Sequence, residues 1–354
     1  MLDWVSDTEQ LAPPGATASV VIPARNAQRD LERCLSALAA QASMVREVIV
    51  VDDGSSDCTG EVAREHGAHV IRLEPSGPAA ARNAGAHAAQ SDVIVFLDAD
   101  CEPRPGCVQA LVQALRDPSI AASRGGYTTQ QRHPIARFVQ LELDEKQDRL
   151  RQTEAVAVVD TACAAYRRTV FLAYGGFDES FGATTAEDVE LSFRLAAAGE
   201  RMVYAPAALV AHKHPTSLWR YCQRKLRFGY FRARVYGRFP ERMASDGYTP
   251  RSMPVQIVTS AAMVASLVLG ARVPAALWLA AGSATVFLCA TVPLTVRAWR
   301  QDRGLVPFVP PLLLLRSLSQ AAGLAAGFPA VALSLARRAQ PGNAKLAHAT
   351  SERE

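Results

Sequence analysis

A chain of 354 residues, with 38 Lys and Arg against 34 Asp and Glu, is long enough for one large domain or two ordinary ones, and a net charge of +4 is too small to name a partner. Seven cysteines, at 34, 58, 101, 107, 163, 222 and 289, form no C-x-x-C pair, which argues against a zinc site or a disulfide framework and for a reducing setting. Met1-Leu2-Asp3-Trp4 lacks the basic and apolar stretches of a signal peptide, so the polar part of the chain is expected to stay cytoplasmic.

Residues 1–18, with Pro13-Pro14-Gly15, read as a loose lead-in. Ser19 to Ile22 is a short apolar run, followed from about Gln28 by Leu31, Leu35 and Leu38 at helical spacing, which predicts a strand and then a helix. The alternation returns at Glu47 to Val51 with a helix from about Thr59, at His69 to Leu73 with a helix through Ala79 to Ala89, and at Val93 to Leu97 with a helix near Pro105 to Arg116. Unalternated apolar strands separated by helices predict a mostly parallel sheet covered on both faces. Ligands then belong at the carboxyl ends of the strands, where Pro23 to Asn26, Asp52-Asp53-Gly54-Ser55 and Asp98-Ala99-Asp100 stand.

Past this part, expected to span 19–215, the composition changes. Between Lys213 and Arg242 nine Lys or Arg meet a single acid, Glu241. Arg220, Arg224, Arg227, Arg234 and Arg238 fall on one helical stripe, beside an apolar stripe of Trp219, Cys222, Leu226 and Tyr230. Residues 216–248 are therefore expected to lie on anionic lipid, and the apolar segments that follow argue against a nucleic-acid site. Within 249–338, Met253 to Leu269 and Pro274 to Val296 have the length and composition of membrane spans. Leu305 to Leu335 is interrupted by Pro307, Pro310, Pro311, Arg316, Ser317, Ser319 and Gln320, and reads either as a third span or as a re-entrant or surface-lying segment. Arg297, Arg300 and Arg303 are expected on the cytoplasmic side; Arg337, Arg338 and Lys345 prefer the same side, which tips the third segment toward the re-entrant reading. Residues 339–354 form a polar tail.

Three features carry chemistry. Asp98 and Asp100 close an otherwise apolar strand, and carboxylates at i and i+2 can converge on one hard cation, Mn2+ or Mg2+, that bridges to substrate phosphates. The bland alternative is a loop whose aspartates cap the next helix. Asp52 and Asp53 close another strand, where an Asp can accept a hydrogen bond from a base imide or a ribose hydroxyl, while Ser56 and Asp57 suit helix capping. Arg82 stands out among alanines in Ala81-Arg82-Asn83-Ala84-Gly85, near an edge where a guanidinium suits a diphosphate; the alternative is a solvated helix charge.

Read together, these residues resemble the family 2 glycosyltransferases of GT-A fold. The resemblance runs through Val20-Val21-Ile22-Pro23-Ala24-Arg25-Asn26, Val50-Val51-Asp52-Asp53-Gly54-Ser55, Ala81 to Gly85 and Phe96-Leu97-Asp98-Ala99-Asp100. It continues in Gly175-Gly176-Phe177-Asp178-Glu179-Ser180-Phe181, Glu187-Asp188-Val189-Glu190-Leu191, Arg194, Gly199 and Pro206 to His212, covering residues 18 to 215. It implies an α/β fold: a GT-A, Rossmann-like, mostly parallel sheet with helices on both faces, followed by a helical transmembrane region. Pro23, Ala24, Arg25 and Asp52 or Asp53 would surround the nucleoside of a nucleotide-sugar, UDP-linked ahead of GDP- or dTDP-linked. Arg82 and Asp98 would meet its diphosphate. Asp98 and Asp100 would hold Mn2+ or Mg2+, Asp100 the more directly, and His212 would add a third ligand, with His214 the lesser candidate. Gly175, Gly176, Phe177 and Glu187 would shape the acceptor side. Arg25 stands where many relatives carry an aromatic residue and Cys163 where many carry Asn, and both bear on donor identity.

Asp188 is the expected catalytic base. An alcohol is a poor nucleophile until its proton is taken, and Asp98 and Asp100 are occupied by metal and diphosphate. One-step attack would invert the anomeric configuration, and a proton-accepting carboxylate points to a hydroxyl on a lipid-linked or cell-surface glycan, with polyprenyl phosphate as runner-up. The alternative is that Asp188 and Glu190 simply open a helix. A nucleotidyltransferase is disfavoured because Val21 to Asn26 contains no glycine-rich loop, and a non-catalytic scaffold because Asp98, Asp100 and Asp188 are all present. Gln223-Arg224-Lys225-Leu226-Arg227-Phe228 only approximates the Q-x-x-R-W signature of processive synthases, which favours transfer of one or few sugars.

Overall fold

The computed structural model describes residues 17–181, 186–243 and 246–338. The expected lead-in (1–16) and tail (339–354), with Lys345, lie outside these. The chain divides into two compact units, Met1–Thr216 and Ser217–Glu354.

The first unit is built from strands β1 (Ala18–Ala24), β2 (Val45–Asp53), β3 (His69–Leu73), β4 (Val93–Leu97), β5 (Cys101–Pro103), β6 (Ile120–Thr128), β7 (Cys163–Arg167) and β8 (Arg201–His212). Its helices are α1 (Gln28–Ala39), α2 (Thr59–Glu65), α3 (Pro78–Ala88), α4 (Cys107–Ala114), α5 (Pro134–Leu150), α6 (Arg168–Ala173) and α7 (Glu187–Ala197). The strands form one sheet in the order β3-β2-β1-β4-β7-β6-β8-β5. The first four run parallel. At β7 the direction reverses, since β7 is antiparallel to both β4 and β6, while β8 is parallel to β6 and antiparallel to β5. The parallel half is the part whose apolar runs predict it; the mixed half is new information.

Successive strand residues face opposite sides of a sheet. Accordingly Val20, Ile22, Val95 and Leu97 join one core with Leu31, Leu38 and Leu111, while Val21, Ile94 and Phe96 join another with Tyr166, Phe171 and Phe177. Both faces are covered, which is why these strands read as continuous apolar runs. A Cβ on Gly85 would collide with the Val21 side chain, so α3 lies close against β1 and brings Arg82 toward the carboxyl edge. Register sets the rest of that edge. Cys101 pairs with His212, which places the end of β8 beside Asp100, and Leu97 pairs with Cys163, which brings the start of β7 to the same edge as the end of β4.

The second unit comprises α8 (Leu218–Arg238), α9 (Ser252–Gly270), α10 (Ala276–Gln301) and α11 (Val309–Arg338). Three segments, Ser252–Gly270, Ala276–Gln301 and Arg303–Pro329, are long and apolar enough to cross a membrane, with mean hydropathies of 1.7, 1.8 and 1.3. The interruptions expected in the third do not break α11. Pro310 and Pro311 occupy its first turn, where a missing N–H has no helical partner to lose. The Arg316 guanidinium is buried and donates to the Gln256 side chain, whose amide donates to the Ala290 carbonyl at 2.7 Å, tying α11, α9 and α10 together. Helix α8 runs along α11 on a glycine seam, with Gly229 against the Gln320 backbone and Gly327 against the Tyr230 carbonyl. Leu226 and Tyr230, expected on a lipid-facing stripe, thus lend their backbone to this seam; Trp219, at 70% exposed, remains outside it.

Candidate active site

The loops after β1 and β2 are sewn together. Asn26, with φ of 50°, adopts a left-handed turn that Asn tolerates; its amide donates to Ser55 Oγ at 3.0 Å and its Oδ1 accepts from the Ser56 amide at 2.8 Å. Asp52 is fully buried, accepting from the Ser55 amide at 2.8 Å and from Arg72 Nη1 at 2.9 Å. Asp53 accepts from the amides of Ser76 at 2.6 Å and Gly77 at 3.0 Å, holding the start of α3. Of the two carboxylates between which the sequence leaves the choice open, Asp52 is an internal brace. Asp53 lies beside the exposed Arg25, at 4.0 Å, on the edge that Pro23 and Ala24 reach.

Arg82 is the hub. Its Nη2 donates to Asp98 Oδ1 at 2.7 Å and its Nη1 to Glu187 Oε1 at 3.0 Å, and its guanidinium lies 6.0 Å over the Phe177 ring. Burial opposes its charge, yet Asp98 and then Glu187 hold the pKa above its ordinary value. Its Nε is buried without a hydrogen-bond partner. The solvated-helix alternative is therefore excluded: Arg82 is 2% exposed.

The residues expected to shape the acceptor side do something different here. Phe177 is a core residue, 5.4 Å from Phe96 and 5.1 Å from Phe171 between ring centroids. Gly175 and Gly176 have φ of 73° and 65°, and a Cβ on Gly176 would stand 2.5 Å from Asn83 Oδ1. Asn83 accepts from the Phe177 amide and donates to its carbonyl, both at 2.9 Å, so this turn is a lock between α3 and the segment before α7. Glu187 is buried as the counter-ion of Arg82. Gly176, Phe177 and Glu187 are buried, whereas Gly175 is exposed.

The expected metal trio divides. Asp98 is drawn to Arg82, whereas Asp100, with a side chain 40% exposed, stands with His212, whose Nε2 is 3.8 Å from Asp100 Oδ2. Among the described residues, ligand atoms of Asp100, Cys101 and His212 lie within 4.8 Å of one another. Burial, with Asp100 and Asp98, raises the Cys101 thiol well above its ordinary pKa, and hard cations prefer oxygen and nitrogen donors to sulfur. The usable pair is a carboxylate oxygen and an imidazole nitrogen, a donor set that accepts Mn2+ or Mg2+ and suits Mn2+ better.

A second carboxylate cluster lies at the start of α7. Asp188 Oδ1 accepts from the Val189 amide at 2.7 Å, and its carbonyl accepts from Ser192 Oγ, which itself accepts from the Val159 amide at 3.0 Å. Burial, then Glu187 and Asp160, push the Asp188 carboxyl up to about 7, against the pull of the Val189 amide and Arg82. Asp160 accepts from Arg124 Nη2 at 2.5 Å, Lys146 Nζ at 3.0 Å and the Tyr127 hydroxyl at 3.4 Å. Burial and Arg124 push the Lys146 amino group down to about 7, with Asp160 and Asp188 pulling the other way. The sequence reading passes over Arg124, Lys146 and Asp160; the available signal is a lone Asp160 just ahead of the apolar run of β7.

Residues 19–175 match the sequence profile of Glycosyl transferase family 2. The chain carries a family 2 glycosyltransferase domain. The pre-mycofactocin glycosyltransferase of Mycobacterium tuberculosis is 35% identical to it over 272 residues, covering 73% of this chain and 56% of that protein. The validoxylamine A glucosyltransferase of Streptomyces hygroscopicus subsp. jinggangensis is 29% identical over 263 residues, covering 60% and 62%. The chain thus spans about half the length of the first of these relatives. Among solved structures, the mannosyltransferase PcManGT from Pyrobaculum calidifontis, in complex with GDP-Man and Mn2+, shares the fold over 91% of this chain and 87% of its own, with a TM-score of 0.52 and 18% identity. The curled mixed sheet is the GT-A core that the motifs imply, followed by helices of membrane-spanning length.

Proposed function

We propose that this chain is an inverting, metal-dependent glycosyltransferase that moves a sugar from a nucleotide-sugar to a hydroxyl of a lipid-linked or cell-surface glycan at the cytoplasmic face of the cell membrane. The observation that carries this reading is the separation of two acidic stations at one sheet edge. One, Asp100 with His212, suits a hard cation; the other, Asp188, is a carboxyl pushed up to about 7. Arg82, charged and anchored between Asp98 and Glu187, sets a buried positive charge behind the part-exposed Asp98, where it would attract a diphosphate. Pro23, Ala24, Arg25 and Asp53 border the place for a nucleoside, UDP-linked ahead of GDP- or dTDP-linked. When bound, a divalent ion held by Asp100 and His212 would offset the negative charge of the departing nucleoside diphosphate. Asp188 takes the acceptor's proton as its oxygen attacks the anomeric carbon from the side opposite the nucleotide, which inverts the configuration. An ionised phosphate acceptor has no proton to give up, so a base of this kind favours a hydroxyl acceptor over polyprenyl phosphate.

Asp100→Asn is expected to weaken Mn2+-dependent binding of UDP-sugars severely, because one neutralised ligand leaves the diphosphate charge uncompensated. Calorimetry giving the same Mn2+-dependent affinity as the parent protein would reject the assignment.

The membrane placement rests on the three apolar segments and the arginines near Arg297. Unbroken α11 supports three spans in place of a re-entrant third segment, which would put residue 351 outside while Arg297, Arg300 and Arg303 remain inside. A cysteine introduced at Ser351, a position outside the described residues, is expected to react with an impermeant reagent in intact cells. Labelling only after permeabilisation would return the third segment to the re-entrant reading.

A further inference from the structure

The face of α5 that looks toward the end of β8 carries Gln140, Asp144 and Gln147 at helical spacing. Their hydrogen bonds leave little freedom. Gln140 Nε2 donates to the Tyr127 carbonyl at 2.8 Å and to Asp144 Oδ1 at 2.7 Å. A backbone carbonyl only accepts, so the amide group must face Tyr127 and the Gln140 oxygen must face the other way. That oxygen lies 2.8 Å from His214 Nε2, which is therefore the protonated nitrogen. His214 is itself fixed in place: it is 3% exposed, and Gln131 grips both its amide, at 2.6 Å, and its carbonyl, at 3.0 Å.

The remaining nitrogen of His214, Nδ1, lies 3.0 Å from His212 Nδ1. With His214 neutral, this nitrogen accepts, and the proton between the two rings sits on His212 Nδ1. His212 Nε2 then carries a lone pair directed toward Asp100 Oδ2, 3.8 Å away. Two electron-rich atoms facing one another at that spacing repel unless a cation, or a second proton on His212, lies between them.

We propose that Gln140 and His214 are positioning residues that hold His212 in its Nδ1–H tautomer, so that Nε2 is kept as a preformed ligand nitrogen for the divalent cation. The inference rests on the reading of Asp100 and His212 as the cation site and adds to it the device that orients the imidazole. Such outer partners fix the ring and tautomer of a metal-bound histidine, and losing one typically weakens metal binding about 10–100-fold.

The test uses the full chain in detergent. Nitrogen-15 spectra of histidine-labelled, metal-free protein are expected to show His212 protonated on Nδ1 and bare on Nε2. His214→Phe, which fills the space and accepts nothing, should lower Mn2+ affinity in the presence of UDP by about 10–100-fold. His214→Asn, whose side-chain oxygen can stand near the Nδ1 position and only accepts, should recover most of that loss, a rescue that a filling role would not give. His212 carrying its proton on Nε2, or His214→Phe binding Mn2+ like the parent while His212→Ala does not, overturns the relay and leaves the cation site standing. His212→Ala binding Mn2+ like the parent overturns the site itself, and the relay with it.

Discussion

Asp188→Asn is expected to lower transfer to acceptor by about 10²–10⁴-fold, the usual worth of a general base, while Mn2+-dependent donor binding stays near the parent value. Transfer is read as nucleotide release that depends on added membrane-extracted glycolipid, and donor binding by calorimetry. The pH dependence has a definite sign. The Asp188 carboxyl titrates at about 7 under the influence of burial, Glu187 and Asp160, with Arg82 opposing, and Lys146 senses the same carboxylate. A base works only when deprotonated, so transfer by the parent protein should rise with pH through about 7. That limb should be missing from the small residual rate of the variant.

Stability offers an independent check on the same group. A folded-state pKa raised above the ordinary 3.8 means that the folded protein binds the proton more tightly than the unfolded chain. Asp188 therefore carries no penalty below 3.8, where it is protonated in both states, and its full penalty above about 7, where folding buries a charge. Asn carries none at either pH. The variant should unfold at a higher temperature than the parent at pH 8, and the difference should vanish below pH 4, a trade of stability for activity expected at a working site. Near-normal transfer, or a variant no more stable than the parent at pH 8, would sink the base assignment and with it the preference for a hydroxyl acceptor.

How much of this was legible in the sequence follows from which forces leave a local mark. The strands β1, β2 and β4 are buried on both faces, so their apolar runs are visible, and β4 matches the run Val93 to Leu97 residue for residue. The edge strand β3 is only partly buried, yet it too matches its run, His69 to Leu73. Helix α5 was not legible, because its buried face mixes Ala136, Phe138, Leu141 and Leu150 with Lys146 and Gln147, residues that mark a solvated helix elsewhere. Strand β6 hides for a related reason. It carries the buried Arg124, and Gly125 and Gly126 where a Cβ would collide with Cys163 and Gln147, so no β-branched pattern announces it. At the edge, the sequence motifs name Asp98, Asp100 and Arg82, and the family resemblance adds His212, but which carboxylate pairs with which cation is decided by register. The pairing of Cys101 with His212 gives Asp100 to the imidazole, and the position of α3 gives Asp98 to Arg82. Phe177 and Glu187 are buried, which the sequence does not show, because a site's supports and its lining share one stretch of sequence.

Arg82→Met is expected to be the most damaging single change to the fold. Glu187 is 4% exposed in its side chain and Asp98 30%, and both depend on the same guanidinium. Removing it leaves a buried carboxylate without its cation, which costs roughly 3–5 kcal/mol because the charge keeps its desolvation penalty and loses its partner. Arg82→Lys should do little better, since a single ammonium cannot reproduce the planar fork that reaches Asp98 and Glu187 at once. The double change Arg82→Met with Glu187→Gln removes the stranded charge and should recover a large part of the stability, measured by thermal unfolding in detergent. It should not recover binding of UDP-sugars, because nothing then replaces the cation facing the diphosphate. That split separates the two tasks of one residue: a double variant that regains both stability and donor binding would show that Arg82 is only a structural counter-ion, and a single variant as stable as the parent would show that Glu187 does not depend on it.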